Sequence, residues 1–152
     1  MKERTVLVSA CLLGETCRYD GKHSARAELR RLLEGDAVIP VCPEVAGGLS
    51  TPRPPAELSG EKVLRENGED VTAQFHNGAR ECLEEAQKHD ISLAILKSRS
   101  PSCGCGDVYD GTFTNTLRLG NGVFTDLLLS KGIDCISDED LLKDSTTKKP
   151  SA

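Results

Sequence analysis

The chain has 152 residues, 38% of them hydrophobic and 28% charged, which is typical of one soluble domain. Its formal charge of −5 and pI near 5.2 argue against a broad phosphate-binding surface, because nonspecific affinity for nucleic acid comes mainly from Lys and Arg. With two Tyr, three Phe and no Trp, the core must be filled by aliphatic side chains, which favours a parallel sheet flanked by helices over a β-sandwich.

The N-terminal segment MKERTVLVSACLLG has one short apolar run, broken by Ser and Gly. That run is too short for a signal peptide or a membrane span, so we expect a cytoplasmic protein with no membrane association. Seven cysteines would indicate disulfides in a secreted chain. In the reducing cytosol they indicate metal ligation or catalysis.

The first third of the chain predicts a strand, a helix, a second strand and a loop. They are a strand over residues 5–10 (TVLVSA), a helix over 25–34, a strand over 37–41 (AVIPV) and an ordered Gly- and Pro-rich loop over 47–57. Ser24 is the expected N-cap of the helix, with Leu29, Leu32 and Leu33 on its inward side. Pro40 favours an edge position for the second strand.

The remaining elements alternate in the same way. They are a hairpin over residues 62–72 around Asn67-Gly68, a helix over 72–88, a strand over 91–96 (ISLAIL), a loop over 97–106, an extended stretch near 111–114, a helix over 122–130, a strand over 133–136 (IDCI) and a short helix after Asp138. Cys82 falls on the apolar face of its helix, and Cys135 lies within a strand, so we expect both to pack in the core.

Alternating strands and helices predict right-handed parallel crossovers. The expected fold class is therefore α/β: a single-domain, Rossmann-like three-layer fold with a mostly parallel sheet and a short hairpin insertion. We expect the domain to cover residues 1–143. The polar residues 144–152 are expected to form a disordered tail.

Three cysteines, Cys11, Cys42 and Cys103, each follow one of the three clearest strands. In parallel sheets, ligands bind beyond the carboxyl ends of the strands, so the three thiols are expected to converge. Soft thiolates select zinc, copper(I) or an iron–sulfur cluster. Structural zinc usually uses CxxC pairs and a fourth ligand, and the sequence contains no CxxC. A three-cysteine cluster with one open iron fits better.

Polar residues beside these cysteines are candidates for catalysis. Glu44 lies two residues after Cys42 and can give or accept a proton. Ser100 and Ser102 flank the turn into Cys103, where they can bind a substrate or cap backbone groups. Solvent exposure and turn formation are the competing explanations for all three polar residues.

Three motifs resemble the thiouracil desulfurase (TudS) family. They are SACLLGETCRYDG (residues 9–21), CPEVAGGLSTPRPPAE (42–57) and LKSRSPSCG (96–104). The resemblance extends over the chain to about residue 143. It implies a [4Fe-4S] cluster with three cysteine ligands, whose open iron captures the sulfur of the substrate before sulfide is released by non-redox hydrolysis.

Matched position by position, the resemblance implies that Cys11, Cys42 and Cys103 are the cluster ligands. It implies acid–base and substrate-activating roles for Glu44 and Ser100. Arg53 and Asp20 also match motif positions, and we expect them to anchor loops.

The expected substrate is a small thiolated base or nucleotide, such as thiouracil or a thiouridine nucleotide. Some family members carry a second, C-terminal domain that this sequence does not contain, so transfer RNA is the less favoured substrate. The sequence does not predict the oligomeric state or the physiological thiolated compound.

Two further cysteines leave alternatives open. Cys17 or Cys105 could supply a fourth thiolate and close the open iron. A zinc or redox-thiol protein, for instance a sulfur carrier that uses Cys17 or Cys105, is one alternative function. A cluster-based sensor without enzymatic activity is another.

Overall fold

The computed structural model describes residues 4–147, with side chains to Lys143. In chain order the elements are β1 (Thr5–Ser9), a 3-10 turn (Ala10–Leu13), α1 (Ala27–Leu32), β2 (Ala37–Val41), α2 (Pro43–Ala46), β3 (Ala56–Ser59), β4 (Lys62–Arg65), α3 (Thr72–Gln87), β5 (Ile91–Leu96), β6 (Cys105–Tyr109), β7 (Leu117–Asn121), α4 (Val123–Ser130), β8 (Cys135–Ser137) and α5 (Asp138–Thr147).

Four parallel strands form the central sheet, in the order β2-β1-β5-β8. The inner strands β1 and β5 are short apolar runs, and Val6, Leu7 and Ile95 within them are fully buried. β2 lies at an edge, the position in a sheet that tolerates Pro40. The predicted α/β class and its parallel sheet are confirmed.

Helices cover both faces of this sheet. Successive side chains of a strand point to opposite sides, so apolar strands need a packing partner on each face. On one face, Leu7 packs in a cluster with Phe124 of α4 and with residues of α3. On the other face, Val6 packs with Leu29 of α1 and Leu141 of α5. The result is the three-layer arrangement predicted from the sequence.

The first of two antiparallel hairpins differs from its prediction. β3 pairs with β4, and Gly60 in the turn between them has φ +60°. The hairpin predicted over residues 62–72 also forms in part, since Val71 N donates to the Val63 carbonyl at 2.9 Å and Arg65 N to that of Glu69 at 2.8 Å. The turn at Asn67-Gly68 does form, with an isolated bridge beside it. The β3–β4 ladder, which the sequence did not predict, places Leu58 opposite Val63, and both are buried.

The second hairpin, β6–β7, replaces the extended stretch predicted near residues 111–114. That stretch lies in the turn, since Gly111, Phe113 and Asn115 have positive φ angles of 96°, 58° and 60°. The two strands lack a continuous apolar run: Val108 is buried, whereas Leu119 is 89% exposed. Apolar patterning therefore could not reveal them.

Helix α1 is shorter than predicted. It begins after Arg26, and Ser24, the expected N-cap, instead accepts a hydrogen bond from Arg18 Nη1 at 2.9 Å. Leu29 is buried, but Leu32 is 40% exposed, so its inward placement is wrong. The four-residue spacing from Leu29 selects the next residue, Leu33, for the inner face.

The C-terminal helix α5 continues to Thr147, past the predicted end of the domain at residue 143. Residues 148–152 of the predicted tail lie outside the described residues. No helix in the described part of the chain is long and apolar enough to cross a membrane.

Candidate active site and metal centre

The carboxyl ends of three neighbouring strands bring three cysteines to one cavity. Cys11 lies in the 3-10 turn after β1, Cys42 directly after β2, and Cys103 in the loop after β5. All three line a cavity of about 560 Å³, a volume typical of small-molecule sites. The predicted convergence is therefore observed, while their role as ligands stays a prediction.

Backbone hydrogen bonds fix Cys11. Its carbonyl accepts the N–H groups of Gly14 at 3.4 Å and Ser24 at 2.8 Å. Gly14 closes the turn at φ +102°, a conformation that glycine adopts without steric cost. Arg30 of α1 donates to the carbonyl of Leu13, which ties the same turn to the helix layer.

A close crossing of α2 and α3 positions Cys42. A Cβ atom added to Gly78 would lie 1.8 Å from the carbonyl oxygen of Pro43, and one added to Gly47 would lie 2.0 Å from that of Gln74. Both distances are far below van der Waals contact, so glycine is required at both positions. Cys42 is the N-cap residue of α2, and this crossing therefore sets its distance from the core.

The first turn of α4 holds the Cys103 loop. Phe124 N donates to the carbonyl of Ser102 at 2.9 Å, and Gly122 N donates to that of Gly104 at 2.8 Å. A Cβ atom on Gly122 would lie 2.4 Å from the carbonyl oxygen of Ser102. The unpaired N–H groups of a helix start thus bind the loop.

Ser100 connects this loop to Glu44. Its Oγ accepts the backbone N–H of Ser102 at 3.1 Å and that of Cys103 at 3.0 Å. The side chain of Ser100 also lies near Glu44 and lowers the pKa of its carboxyl group, against the larger effect of burial. Because two N–H groups occupy the acceptor positions of the hydroxyl, its proton is free to donate toward Glu44. Ser100 therefore both forms the turn and contacts a candidate acid–base group.

Arg53 holds Glu44 from the other side. Arg53 Nε donates to Glu44 Oε1 at 3.1 Å, and the side chains are 3% and 17% exposed. Other guanidinium N–H groups donate to the Ser50 carbonyl, Thr51 Oγ1 and the Cys17 carbonyl, at 3.1, 3.0 and 2.9 Å. Burial raises the pKa of Glu44, while the charge of Arg53 opposes that shift. The predicted anchoring of a loop by Arg53 thus includes a contact with Glu44.

The two remaining candidate cysteines occupy different places. Cys17 lines the cavity, and its thiol lies near those of Cys11 and Cys42. Cys105 begins β6 outside the residues that line the cavity, and it lies near Cys135 and Asp140. Of the two, the structure brings Cys17 to the three predicted ligands.

Burial and contact raise the pKa values of the Cys17, Cys42 and Cys103 thiols. Contact with Cys11 and burial raise the pKa of Cys17 to about 11, and burial raises the pKa of Cys103 to about 12. The pKa of Cys42 is raised by its contact with Cys17 and by burial. A metal centre that binds here must therefore displace protons from the thiols.

The donor set fits an iron–sulfur cluster better than a single ion. Within residues 4–147, no group of three or more His, Cys, Asp and Glu side chains is placed to hold one metal ion. Thiolates on a single zinc lie about 4 Å apart, because each Zn–S bond is about 2.3 Å long. In a cluster each thiolate binds a different iron, so the three sulfurs surround a larger core. Three thiols around a cavity of this size suit that arrangement.

Comparison with known proteins places the chain in a family. The family model described as 2-thiouracil desulfurase matches residues 6–140. The chain belongs to the 2-thiouracil desulfurase family. A solved structure described as the [4Fe-4S]-dependent thiouracil desulfidase TudS is 44% identical, with a TM-score of 0.86, covering 96% of this chain and 97% of that one. The uncharacterized protein YbbK of Bacillus subtilis (strain 168) is 41% identical over 146 residues, which are 90% of this chain and 97% of YbbK.

Membership of the 2-thiouracil desulfurase family confirms the resemblance predicted from the three motifs. The solved relative also supports the single α/β fold, since the match extends over nearly the whole of both chains. The acid–base role of Glu44 and the substrate-activating role of Ser100 remain predictions for this chain.

The sequence did not reveal the outer wall of the desulfurase cavity. That wall carries cationic and aromatic side chains: Arg18, Tyr19, Lys97, Arg99, Tyr109 and Phe113. The first four lie within the motifs RYDG and LKSRS, next to the predicted site residues in sequence. That proximity was a usable signal, whereas Tyr109 and Phe113 come from the hairpin that was missed.

Proposed function

We propose that this protein is a [4Fe-4S]-dependent desulfurase that removes sulfur from thiolated pyrimidines by non-redox hydrolysis and releases sulfide. The main support is the convergence of three thiols and Glu44 on one cavity in a chain of the 2-thiouracil desulfurase family. The family match and the solved relative bear out the predicted thiouracil desulfurase activity and its [4Fe-4S] cofactor.

Cys11, Cys42 and Cys103 are the proposed cluster ligands. Support comes from their positions after three adjacent strands and from the rigid turn, helix crossing and helix start that hold them. When bound through three thiolates, the cluster supplies one open iron that acts as a Lewis acid toward the thiocarbonyl sulfur.

Glu44 is the proposed acid–base residue. Arg53 donates to its Oε1 and Ser100 lies beside the carboxylate, so the group has a fixed orientation at the cavity. As a carboxylate it accepts a proton from the attacking water, and as an acid it returns that proton to the leaving sulfur. Ser100 orients the carboxylate for this transfer.

The proposed reaction balances without a redox partner. The C=S carbon gains oxygen from one water molecule and loses sulfur, so thiouracil and water become uracil and hydrogen sulfide. Both protons of the water leave with the sulfide, and no electrons are exchanged. In this replacement of sulfur by oxygen, the protein side chains contribute proton transfer through Glu44.

We further propose a free base or nucleotide as the substrate, rather than transfer RNA. A cavity of about 560 Å³ accommodates a cofactor and a small ring, and the net charge of −5 does not favour a polynucleotide. The proposed location is the cytoplasm, where the cysteines remain reduced.

Anaerobic reconstitution followed by a sulfide assay tests the proposal. We expect a brown protein with four irons that releases sulfide from 2-thiouracil, 4-thiouracil or 4-thiouridine monophosphate. Colourless protein with stoichiometric zinc would instead support the zinc or redox-thiol alternative. A four-iron protein that releases no sulfide from any of these compounds would support a sensor.

A further inference from the structure

Cys17 is a thiol in the cavity to which the proposed reaction assigns no role. It shares the cavity with Cys11 and Cys42, and its thiol lies near both of theirs. Cys42 Sγ also lies 3.8 Å from the carbonyl oxygen of Cys17, so backbone and side chain of Cys17 both adjoin Cys42. Cys103 and Cys82 are by contrast buried.

These contacts do not favour Cys17 as a fourth cluster ligand. Ligand sulfurs of a cluster bind separate irons and are spread around its core. Cys17 instead lies beside two predicted ligands at once. Neighbouring thiols on adjoining segments can form a disulfide when their Cβ atoms approach within about 4.5 Å.

We propose that Cys17 and Cys42 form a disulfide when the protein without its cluster meets a hydroperoxide. Cys17 Sγ attacks the peroxide, the O–O bond breaks, and a sulfenic acid and one water form. Cys42 Sγ then attacks that sulfur, the S–O bond breaks, and the second water leaves. The two thiols together lose two electrons and two protons, which reduce one hydrogen peroxide to two waters.

Arg53 prepares this pairing. Its buried guanidinium donates to the Cys17 carbonyl at 2.9 Å and to Glu44 Oε1 at 3.1 Å. Glu44 follows Cys42 by two residues in the short helix α2. A single side chain thus holds the segment of Cys17 against the segment of Cys42, while each thiol stays partly exposed to a small oxidant.

The disulfide has a protective consequence, which rests on the proposed function. Further oxidation of a thiol to sulfinic acid is irreversible in the absence of a dedicated repair enzyme, whereas a dithiol reduces a disulfide. A predicted ligand stored as a disulfide therefore remains available for a new cluster.

Peptide mapping of the full-length chain tests the pairing without measuring activity. Protein freed of iron by a chelator is treated with hydrogen peroxide for hours, because raised thiol pKa values slow the first step. Free thiols are then blocked with N-ethylmaleimide, and the protein is cleaved after Arg, Lys and Glu. Cleavage after Glu15 separates Cys11 from Cys17. We expect peptide 16–18 linked to peptide 35–44.

Two variants complete the test. Cys105→Ser, outside the cavity, should give the same linked peptides as the parent. Cys17→Ser should carry more sulfinic acid at Cys42. After reduction and reconstitution, it should bind no more than about half the iron that the equally oxidised parent binds. Recovery of Cys17 as its maleimide adduct, or its linkage to Cys11, would overturn the proposal. Failure of unoxidised protein to bind iron would instead contradict the proposed function.

Discussion

Arg53 donates from Nε to Oε1 of Glu44 at 3.1 Å, and the arginine side chain is 3% exposed. This ion pair joins the Pro-rich loop to the short helix that follows Cys42. A cation buried beside a carboxyl group stabilises the carboxylate, the form that accepts a proton. The relationship therefore connects the stability of the loop with the proposed chemistry of Glu44.

Replacing Arg53 tests that connection. Arg53→Gln leaves Glu44 buried without its cation, so the free energy of unfolding should fall by about 3 kcal/mol in urea denaturation. Arg65→Gln is the matched control, because Arg65 pairs with Glu69, which is 53% exposed, and the loss should stay under about 1 kcal/mol. Equal losses in the two variants would show that the buried pair has no special role.

Glu44→Gln separates catalysis from cofactor binding. Glutamine has nearly the same shape and can still accept the hydrogen bond from Arg53, so the iron content should not change. It cannot take up a proton, and sulfide release should fall by about 10²- to 10⁴-fold. Glu84→Gln, at an exposed position of α3, is the control and should remain active. Full activity of Glu44→Gln would remove Glu44 from the mechanism.

Gly78→Ala tests the helix crossing that positions Cys42. The added Cβ would lie 1.8 Å from the Pro43 carbonyl oxygen, so α2 must move. We expect a loss of about 1–3 kcal/mol in unfolding free energy and faster release of iron to a chelator. Asn77→Ala, on the exposed side of the same helix, should change neither quantity appreciably. Unchanged iron release in Gly78→Ala would mean that the crossing does not govern Cys42.

Glu139 makes the stability of the Lys97–Ser100 segment dependent on pH. Arg99 donates to both carboxylate oxygens of Glu139, at 2.6 and 2.5 Å, and thereby lowers the pKa of Glu139. When the pKa of a carboxyl group is lower in the folded state, its carboxylate stabilises the fold at pH values above the unfolded pKa. That stability is lost as the pH falls through the folded pKa. The urea midpoint of the parent should therefore exceed that of Glu139→Gln at pH 6, and the difference should shrink toward pH 3. A difference independent of pH would contradict this account.

The central strands and the three cysteines were predictable because both depend on local signals. Short apolar runs mark buried strands, and the carboxyl-end rule then places Cys11, Cys42 and Cys103 together. Their observed convergence on one cavity follows from strand order alone, since β2, β1 and β5 are adjacent.

The missed features depend on contacts between distant segments. Arg53 contacts Glu44 and, 36 residues away in sequence, the Cys17 carbonyl, which the spacing of a Pro-rich segment does not reveal. Ser24 had the right residue type for an N-cap, but Arg18 takes its hydroxyl oxygen. The β6–β7 hairpin has little buried surface, so it carries no apolar pattern.

The iron content of single cysteine-to-serine variants, reconstituted anaerobically, tests the central claim most directly. We predict four irons per chain in the parent and in Cys17→Ser and Cys105→Ser, with loss of the cluster in Cys11→Ser, Cys42→Ser and Cys103→Ser. Loss of the cluster in Cys17→Ser, or a full complement of iron in any of the last three variants, would contradict a site with three cysteine ligands and one open iron.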